Sequence, residues 1–265
     1  MKRITSPTTA PRLALLACSI ALTAPLRAAV ISWSSANGTA VSSDADVSTS
    51  GTLKYAYNFG ATGVSSTTVN GVTFSPFAIS TTTPVSTSTI GSVTLTESPE
   101  LLWAYNNLGA GSAPFTNLNT GYRGLLSSAG SASNPATITV TLSGLDAGKT
   151  SQLQWWASNT AGIQGVDLET LNSVTATSGT NAITLSARTG LGEYALGTFL
   201  ANATTQTFTL NSPVAGNTAP LINALQLRDI TPTGVPDTAS TLPIVGLSLI
   251  GAMALNRRRF IRDRA

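Results

Sequence analysis

Two adjacent tryptophans, Trp155 and Trp156, are the residues whose type and spacing best suit ligand chemistry. Successive side chains of a β-strand point to opposite faces, so only one of the two rings can face a core. Trp155 shares its face with Leu153 and is predicted to be buried, whereas Trp156 shares its face with Gln152 and Gln154. An exposed indole beside two amides would bind a sugar ring. The pattern predicts a glycan-binding platform at Gln152, Gln154 and Trp156, with burial of Trp156 under a loop as the alternative.

Asp44 and Asp46 lie two residues apart in a serine-rich stretch. Calcium is a hard cation that takes oxygen ligands from carboxylates and loop carbonyls. The pair therefore makes structural calcium the one candidate cofactor. A turn stabilised by the two aspartates is the simpler interpretation.

The other acidic pairs raise the possibility of glycoside hydrolysis, and they are Glu97 with Glu100 and Asp167 with Glu169. A glycosidase needs two carboxylates across a cleft, about 5 to 9.5 Å apart. The chain contains no histidine and a single cysteine, Cys18. Serine–histidine and cysteine–histidine catalysis and histidine-bound metals are thereby excluded. The composition predicts a non-enzymatic protein, with a glycan-active hydrolase that uses paired carboxylates as the alternative.

The elements that would position these residues lie between two targeting segments. Residues 1–28 have the pattern of a secretory signal peptide, with Lys2 and Arg3 before an apolar stretch at residues 13–22. Near the other end, residues 242–256 are predicted to be a transmembrane segment, although a permanent span needs roughly 20 apolar residues.

A basic tail, residues 257–265, follows the apolar segment and begins with Arg257, Arg258 and Arg259. Cations after an apolar stretch are typical of a stop-transfer signal with a cytoplasmic tail. The basicity of the chain belongs to its ends, because residues 29–234 carry five cations and nine anions, a net charge of −4. This distribution argues against a nucleic-acid partner.

The body, residues 29–229, shows short segments of alternating polarity that are typical of β-strands. The clearest alternation places Ile138, Val140 and Leu142 inward, and residues 143–149 are predicted to turn the chain into a returning strand at residues 151–157. An Asn-Gly pair at residues 70–71 predicts a second hairpin. Further strands are expected at residues 52–59, 181–185, 193–200, 205–210 and 221–230, and a short helix at residues 98–102. The fold class predicted is all-β, a single antiparallel β-sandwich that is jelly-roll-like.

Residues 230–241 are a linker that ends in a short motif. Val235, Pro236 and Asp237, followed by the apolar segment and the arginines, resemble the PEP-CTERM class of bacterial sorting signals, most closely its VPDSG-type branch. Thr238 and Ala239 stand where that branch has serine and glycine. The resemblance implies that an exosortase cuts the chain near the motif. A simple C-terminal membrane anchor is the alternative.

In its strand pattern and turn sequences, the body also resembles uncharacterised sandwich domains of PEP-CTERM proteins. Those domains look distantly like carbohydrate-binding jelly rolls. The segments that carry this likeness are residues 138–156 and 222–228. The expectation is an exported protein that uses the Sec machinery and an exosortase. It is first a membrane-anchored precursor, then a surface or extracellular-matrix protein associated with extracellular polysaccharide.

Overall fold

The structure is a computed structural model, and it describes residues 29–83, 85–99, 101–108, 110, 115–132, 136–159, 173–187, 190–212 and 219–232. The predicted signal peptide, the sorting motif, the transmembrane segment and the arginine cluster lie outside these residues. The helices of the described part are all too short to span a membrane.

Alternating polarity, frequent threonine and valine, and glycine-containing turns make most of the described chain strand. The 17 strands are β1 (Ser32–Trp33), β2 (Thr39–Ala40), β3 (Thr52–Ala61), β4 (Thr67–Val69), β5 (Val72–Ile79), β6 (Thr87–Ile90), β7 (Val93–Ser98), β8 (Leu102–Tyr105), β9 (Ala129–Ala132), β10 (Thr137–Ser143), β11 (Thr150–Ala157), β12 (Ser173–Ser178), β13 (Asn181–Ser186), β14 (Glu193–Leu200), β15 (Thr205–Asn211), β16 (Leu221–Ile222) and β17 (Ala224–Asp229). One α-helix, α1, covers Thr120–Leu126, and short 3-10 turns cover Asp44–Asp46 and Phe115–Asn117.

The strands form two large sheets and one small sheet. Sheet A has the order β1-β14-β11-β17-β3-β5-β4, with β2 also beside β14. Sheet B has the order β13-β12-β15-β10-β7-β6, and the small sheet has the order β16-β9-β8. The strand pairs are antiparallel except for β3 and β5, which run parallel. The predicted all-β sandwich is therefore confirmed, with one parallel pair inside it.

The main core lies between sheets A and B. Ile138, Val140 and Leu142 of β10 are fully buried, as their alternation predicted, and Trp155 of β11 is fully buried opposite them. The small sheet closes one edge of this core. A Cβ atom at Gly130 of β9 would lie 2.8 Å from Cδ1 of Ile79 in sheet A and 3.6 Å from Cδ1 of Leu95 in sheet B.

The Asn-Gly hairpin is confirmed. Asn70 and Gly71 have φ angles of 48° and 74°, the left-handed pair that a two-residue type I′ turn requires. Val69 and Val72 pair directly on either side of the turn.

The predicted hairpin between β10 and β11 is wrong. β10 pairs with β15 and β7 in sheet B, whereas β11 pairs with β14 and β17 in sheet A. Residues 143–149 therefore carry the chain from one sheet to the other. Two strands that face each other across a sandwich have the same alternating polarity as two strands that pair, because each has one face on the shared core.

The predicted helix at residues 98–102 is also wrong. β7 ends at Ser98, and β8 begins at Leu102, whose side chain is buried in the main core and whose backbone pairs with Ala132 of β9. The helix of the described chain is instead α1, capped by the Asn119 side chain, which accepts a hydrogen bond of 2.7 Å from the Tyr122 amide.

A second apolar cluster covers the outer face of sheet A. Helix α1 and the segments before it bring Phe115, Leu118, Tyr122 and Leu125 onto this face. They pack with residues of the sheet itself, namely Ala56, Phe74, Trp156 and Ala224. The molecule thus has three layers: sheet B, sheet A and the cover formed by α1 and its neighbouring loops.

Candidate functional site

The predicted platform on β11 lies on one strand face but is not exposed. Gln152, Gln154 and Trp156 do point to the outer side of sheet A, and Trp156 is completely buried beneath the cover. Its ring meets Phe74 edge-on at 5.6 Å between centroids, and its indole Nε1 donates a hydrogen bond of 3.0 Å to the Tyr122 hydroxyl. The prediction that Trp156 is an exposed sugar platform is wrong, and the alternative of burial is the structure observed.

The two glutamines are engaged in structural hydrogen bonds. Gln154 is fully buried; its Nε2 donates to the Asp46 carbonyl oxygen at 2.7 Å, and its Oε1 accepts from the Ser48 amide at 2.9 Å. Oε1 of Gln152 accepts a hydrogen bond of 2.6 Å from the Ser48 hydroxyl. A sugar could not reach the Gln154 amide without displacing the segment above it.

That segment, residues 46–51, is held by a row of long polar side chains on two paired strands. Gln226 of β17 lies opposite Gln154 and donates to the Ser48 carbonyl oxygen at 3.0 Å. Two residues further, Arg228 donates to the carbonyl oxygens of Thr49, Ser50 and Gly51 at 2.7 to 3.0 Å. Burial lowers the pKa of Arg228. Sequence inspection missed this row because Gln154 and Gln226 are 72 residues apart and meet only through strand register.

Asp44 and Asp46 form a short 3-10 turn. Oδ2 of Asp46 accepts hydrogen bonds from the amides of Ser42 and Ser43 at 2.6 and 2.8 Å, and Oδ2 of Asp44 accepts one from the Asn119 side chain. The turn interpretation is confirmed. Among the described residues no group of three or more acidic, histidine or cysteine side chains is arranged to hold a metal ion. Calcium binding at this turn stays a prediction.

The acidic pairs considered for hydrolysis are only partly within the described chain. Glu97 is on the inward side of β7 and is 2% exposed. Glu100, Asp167 and Glu169 lie outside the described residues.

The outer face of sheet B is a polar surface that the strand pattern creates, and we call it the threonine face. All six strands contribute to it, with Thr87, Thr89, Thr94, Thr96, Thr137, Thr139, Thr141, Thr175, Thr177, Thr184, Thr205, Thr207 and Thr209. Each of these side chains is exposed or half-buried. The one charged residue in the six strands, Glu97, points to the other side.

Strand register aligns these threonines in rows. Thr139 lies opposite Thr96 on one side and Thr209 on the other, and Thr141 lies between Thr94 and Thr207. Hydroxyls of neighbouring strands contact each other, as at Thr89 and Thr94, 2.9 Å apart. Strands lie about 4.8 Å apart and side chains on one face repeat about every 6.8 Å, so the face is a regular array of hydroxyl and methyl groups.

Comparisons with known proteins do not assign the chain to a family. No protein-family model matches the chain, and no curated protein matches it. Among solved structures, the chain resembles one described as "Structural basis for the promiscuous specificity of the carbohydrate-binding modules from the beta-sandwich super family". The likeness has 12% sequence identity and a TM-score of 0.27, and it covers 76% of this chain and 98% of the other. A TM-score this low does not establish a shared fold.

Proposed function

We propose that this chain is an exported, non-enzymatic protein whose body associates with neutral extracellular polysaccharide through the threonine face. The observation that carries the proposal is the composition of that face: threonines from all six strands, in register across up to five of them, with no charged side chain among them. Neutral polysaccharides are polymers of hydroxyl groups with apolar C–H patches, so hydroxyl and methyl groups in alternation are their natural complement.

The energetics favour a polymer over a small ligand on this face. A hydrogen bond that replaces one to water contributes only about 0.5–1.5 kcal/mol. A single sugar on a flat array of hydroxyls would therefore be held weakly, whereas a chain that touches several rows gains from multivalency. The charges of the body lie elsewhere, as at Lys54 and Asp146, which form an ion pair on the far sheet.

We also infer that the sandwich is a jelly roll. Of eight strands taken in chain order, the first pairs with the last, the second with the seventh, the third with the sixth and the fourth with the fifth. These antiparallel pairs are β3 with β17, β10 with β15, β11 with β14, and β12 with β13. Nested pairing of this kind is the expectation for a sheet ribbon folded into two Greek keys.

The hydrogen bonds of two described carboxylates, Glu193 and Asp229, favour a structural role for these two groups over use in hydrolysis. Oε2 of Glu193 accepts a hydrogen bond of 2.7 Å from the Ser186 amide, and Oδ1 of Asp229 accepts one of 2.8 Å from the Thr231 amide. The Thr231 hydrogen bonds lower the pKa of Asp229. A raised pKa is what a general acid needs, so Asp229 is unsuited to that one of the two carboxylate roles.

Export and sorting are proposed from the sequence at the two ends. The signal peptide would direct the chain to the Sec machinery, and an exosortase would cut near Val235, Pro236 and Asp237. We expect the intact mass of the exported protein to correspond to a chain that begins after Ala28 and ends at about residues 237–240. A mass that includes Arg262 and Arg264 would mean that the C-terminal segment is a simple membrane anchor and not a cleaved sorting signal.

Retention on insoluble polysaccharide tests the proposed role of the threonine face. The exported protein should be retained by at least one of cellulose, chitin and β-1,3-glucan. Thr139→Lys, in the middle of the face, should reduce retention at least tenfold, because a buried ammonium facing a neutral polymer loses its hydration. The matched control is Thr52→Lys, at an exposed position in sheet A. If wild type is not retained by any of the three polymers, or if both variants are retained like wild type, the proposal is wrong.

A further inference from the structure

The sandwich has an open cleft at the edge opposite the small sheet. It lies between β1 of sheet A and the turn that joins β12 to β13 in sheet B, and it has a volume of about 420 Å³. Its walls include Ser32, Trp33, Ser35, Ala36, Thr180 and Asn181. We call it the tryptophan cleft.

Trp33 is held in this cleft by packing on two sides. It lies opposite Gly197 of β14, where a Cβ atom would be 2.6 Å from Cε3 of the indole, so glycine is needed for the ring to fit. Phe208 of sheet B meets the ring edge-on at 6.1 Å between centroids. The indole is half-buried and packed on two sides, which lowers the side-chain entropy that is lost when a ligand binds.

The indole Nε1 of Trp33 is buried and has no hydrogen-bond acceptor among the described residues. An unpaired buried donor costs about 1–3 kcal/mol. By contrast, the indole of Trp156 donates to Tyr122. Because Nε1 is closed off from solvent, a ligand in the cleft would contact the exposed part of the ring rather than this donor.

The remaining walls are uncharged, and apart from Ala36 and Ala182 they are polar. Nδ2 of Asn181 donates to the Ile31 carbonyl oxygen at 3.2 Å, and the Ser35 hydroxyl donates to the Asn37 carbonyl oxygen. Ser32 is exposed at the mouth. An aromatic ring, an amide and several hydroxyls with no charge suit a neutral sugar and give no counter-charge to a phosphate, a carboxylate or an amine.

A second cleft shows what the tryptophan cleft has in addition. It lies beside α1, has a volume of about 470 Å³ and is lined by serines, threonines, glycines, Val64, Asn58 and Asn106, with no aromatic ring. Both asparagine amides are already used, Asn58 on the Ser65 carbonyl oxygen and Asn106 on those of Ala61 and Thr62. Volume alone therefore does not distinguish the two clefts, but the aromatic ring of Trp33 does.

We propose that the tryptophan cleft binds one unit of a neutral sugar chain, as a second glycan site distinct from the threonine face. The proposal rests on the proposed function for the class of ligand. The cleft differs from the threonine face in its position and in its expected affinity. A cleft with an aromatic ring can hold a soluble oligosaccharide, whereas the threonine face needs a polymer.

Calorimetric titration of the exported protein with cellohexaose, chitohexaose, laminarihexaose and mannohexaose tests the cleft. We expect at least one of the four to bind, and Trp33→Ala to weaken that binding at least tenfold. Trp33→Phe, which keeps an apolar ring but removes the N–H, should weaken it by a smaller factor. The matched control is Trp103→Ala, since Trp103 is 45% exposed on β8 and lies outside the cleft.

Ala36→Arg provides a test that does not depend on the core. Ala36 is an exposed wall residue, so a long side chain there should block the cleft without loss of stability. Leu101→Arg, at a residue 39% exposed beside the small sheet, is its control. If none of the four hexasaccharides binds while the protein is still retained on insoluble polysaccharide, the cleft is not a glycan site and the threonine face stands alone. Unchanged binding in Ala36→Arg would also overturn the proposal.

Discussion

The outer faces of the two large sheets differ in solvent exposure, although both belong to strands of alternating polarity. On sheet A five outward positions, Phe74, Trp156, Gln154, Gln226 and Arg228, are buried under loops and helix α1, whereas Leu200 at the end of β14 is 61% exposed. On sheet B the outward positions hold threonines, and these are exposed or half-buried.

The difference follows from what each set of side chains can bond to. Long amides and a guanidinium reach the backbone carbonyls of a loop and satisfy them, so residues 46–51 can lie across sheet A without unpaired polar groups. On sheet B the threonine hydroxyls contact their cross-strand neighbours instead, as Thr89 contacts Thr94. Long amides and a guanidinium thus accompany the covered part of sheet A, and short hydroxyls accompany the open face of sheet B.

Trp156→Ala is the strongest test of the covered face. Removing a fully buried indole should lower the free energy of unfolding by about 3–5 kcal/mol, because the cover and the sheet both lose their contacts with it. The measurement is urea denaturation of the exported protein. Trp103→Ala, at the exposed tryptophan of β8, should change stability by less than about 0.5 kcal/mol.

A folded Trp156→Ala protein of wild-type stability would mean that α1 and its loops do not cover sheet A. That outcome would restore the exposed platform predicted from the sequence. Loss of polysaccharide retention without loss of stability would have the same meaning.

Period-two polarity was sufficient to predict strands such as β3, β10, β11, β14 and β15 and, on β11, that Trp155 and Trp156 face opposite sides. It did not reveal β6 to β9 or β12. It could not predict strand pairing, since β10 and β11 have the polarity of a hairpin but belong to opposite sheets. Pairing depends on register between distant segments, as between Gln154 and Gln226. The same limit hides the tryptophan cleft, whose Trp33 and Asn181 come from distant parts of the chain.

The sequence does contain a helical pattern for the cover, but the surrounding strand patterns make it hard to see. Leu118, Tyr122, Leu125 and Leu126 are spaced as one face of a helix, and Asn119 is a favoured N-cap residue. These four side chains are buried on sheet A. A helix of two turns is short enough to be overlooked in a threonine-rich, strand-forming sequence.

Tyr122→Phe tests the bond between the cover and the sheet. The substitution removes the acceptor of the Trp156 indole N–H and should cost about 1–3 kcal/mol at pH 8. Burial raises the pKa of Tyr122, so the folded protein keeps the phenol proton that the unfolded chain releases above pH about 10. The wild-type free energy of unfolding should therefore fall as the pH rises above about 10, by up to about 1.4 kcal/mol per pH unit for this tyrosine. Tyr122→Phe should lack that part of the fall.

Tyr55→Phe is the matched control for this prediction. Burial also raises the pKa of Tyr55, but its hydroxyl has no partner among the described residues. The substitution should reduce the alkaline loss of stability in the same direction while costing little at pH 8. Equal losses at pH 8 in both variants would show that the bond between Tyr122 and Trp156 adds no net stability.

Thr139→Lys should give the smallest change in stability, so any loss of polysaccharide retention in this variant can be attributed to binding. Thr139 lies between Thr96 and Thr209 at the centre of the threonine face, so a lysine there can extend into water and should change the free energy of unfolding by less than about 0.5 kcal/mol. Val140→Asp, one residue along the same strand, buries an unpaired carboxylate in the main core and should cost several kcal/mol. If Thr139→Lys instead lost as much stability as Trp156→Ala, sheet B would be covered as sheet A is. If the Thr139→Lys protein has wild-type stability but is no longer retained on polysaccharide, the substitution has removed binding and left the fold unchanged.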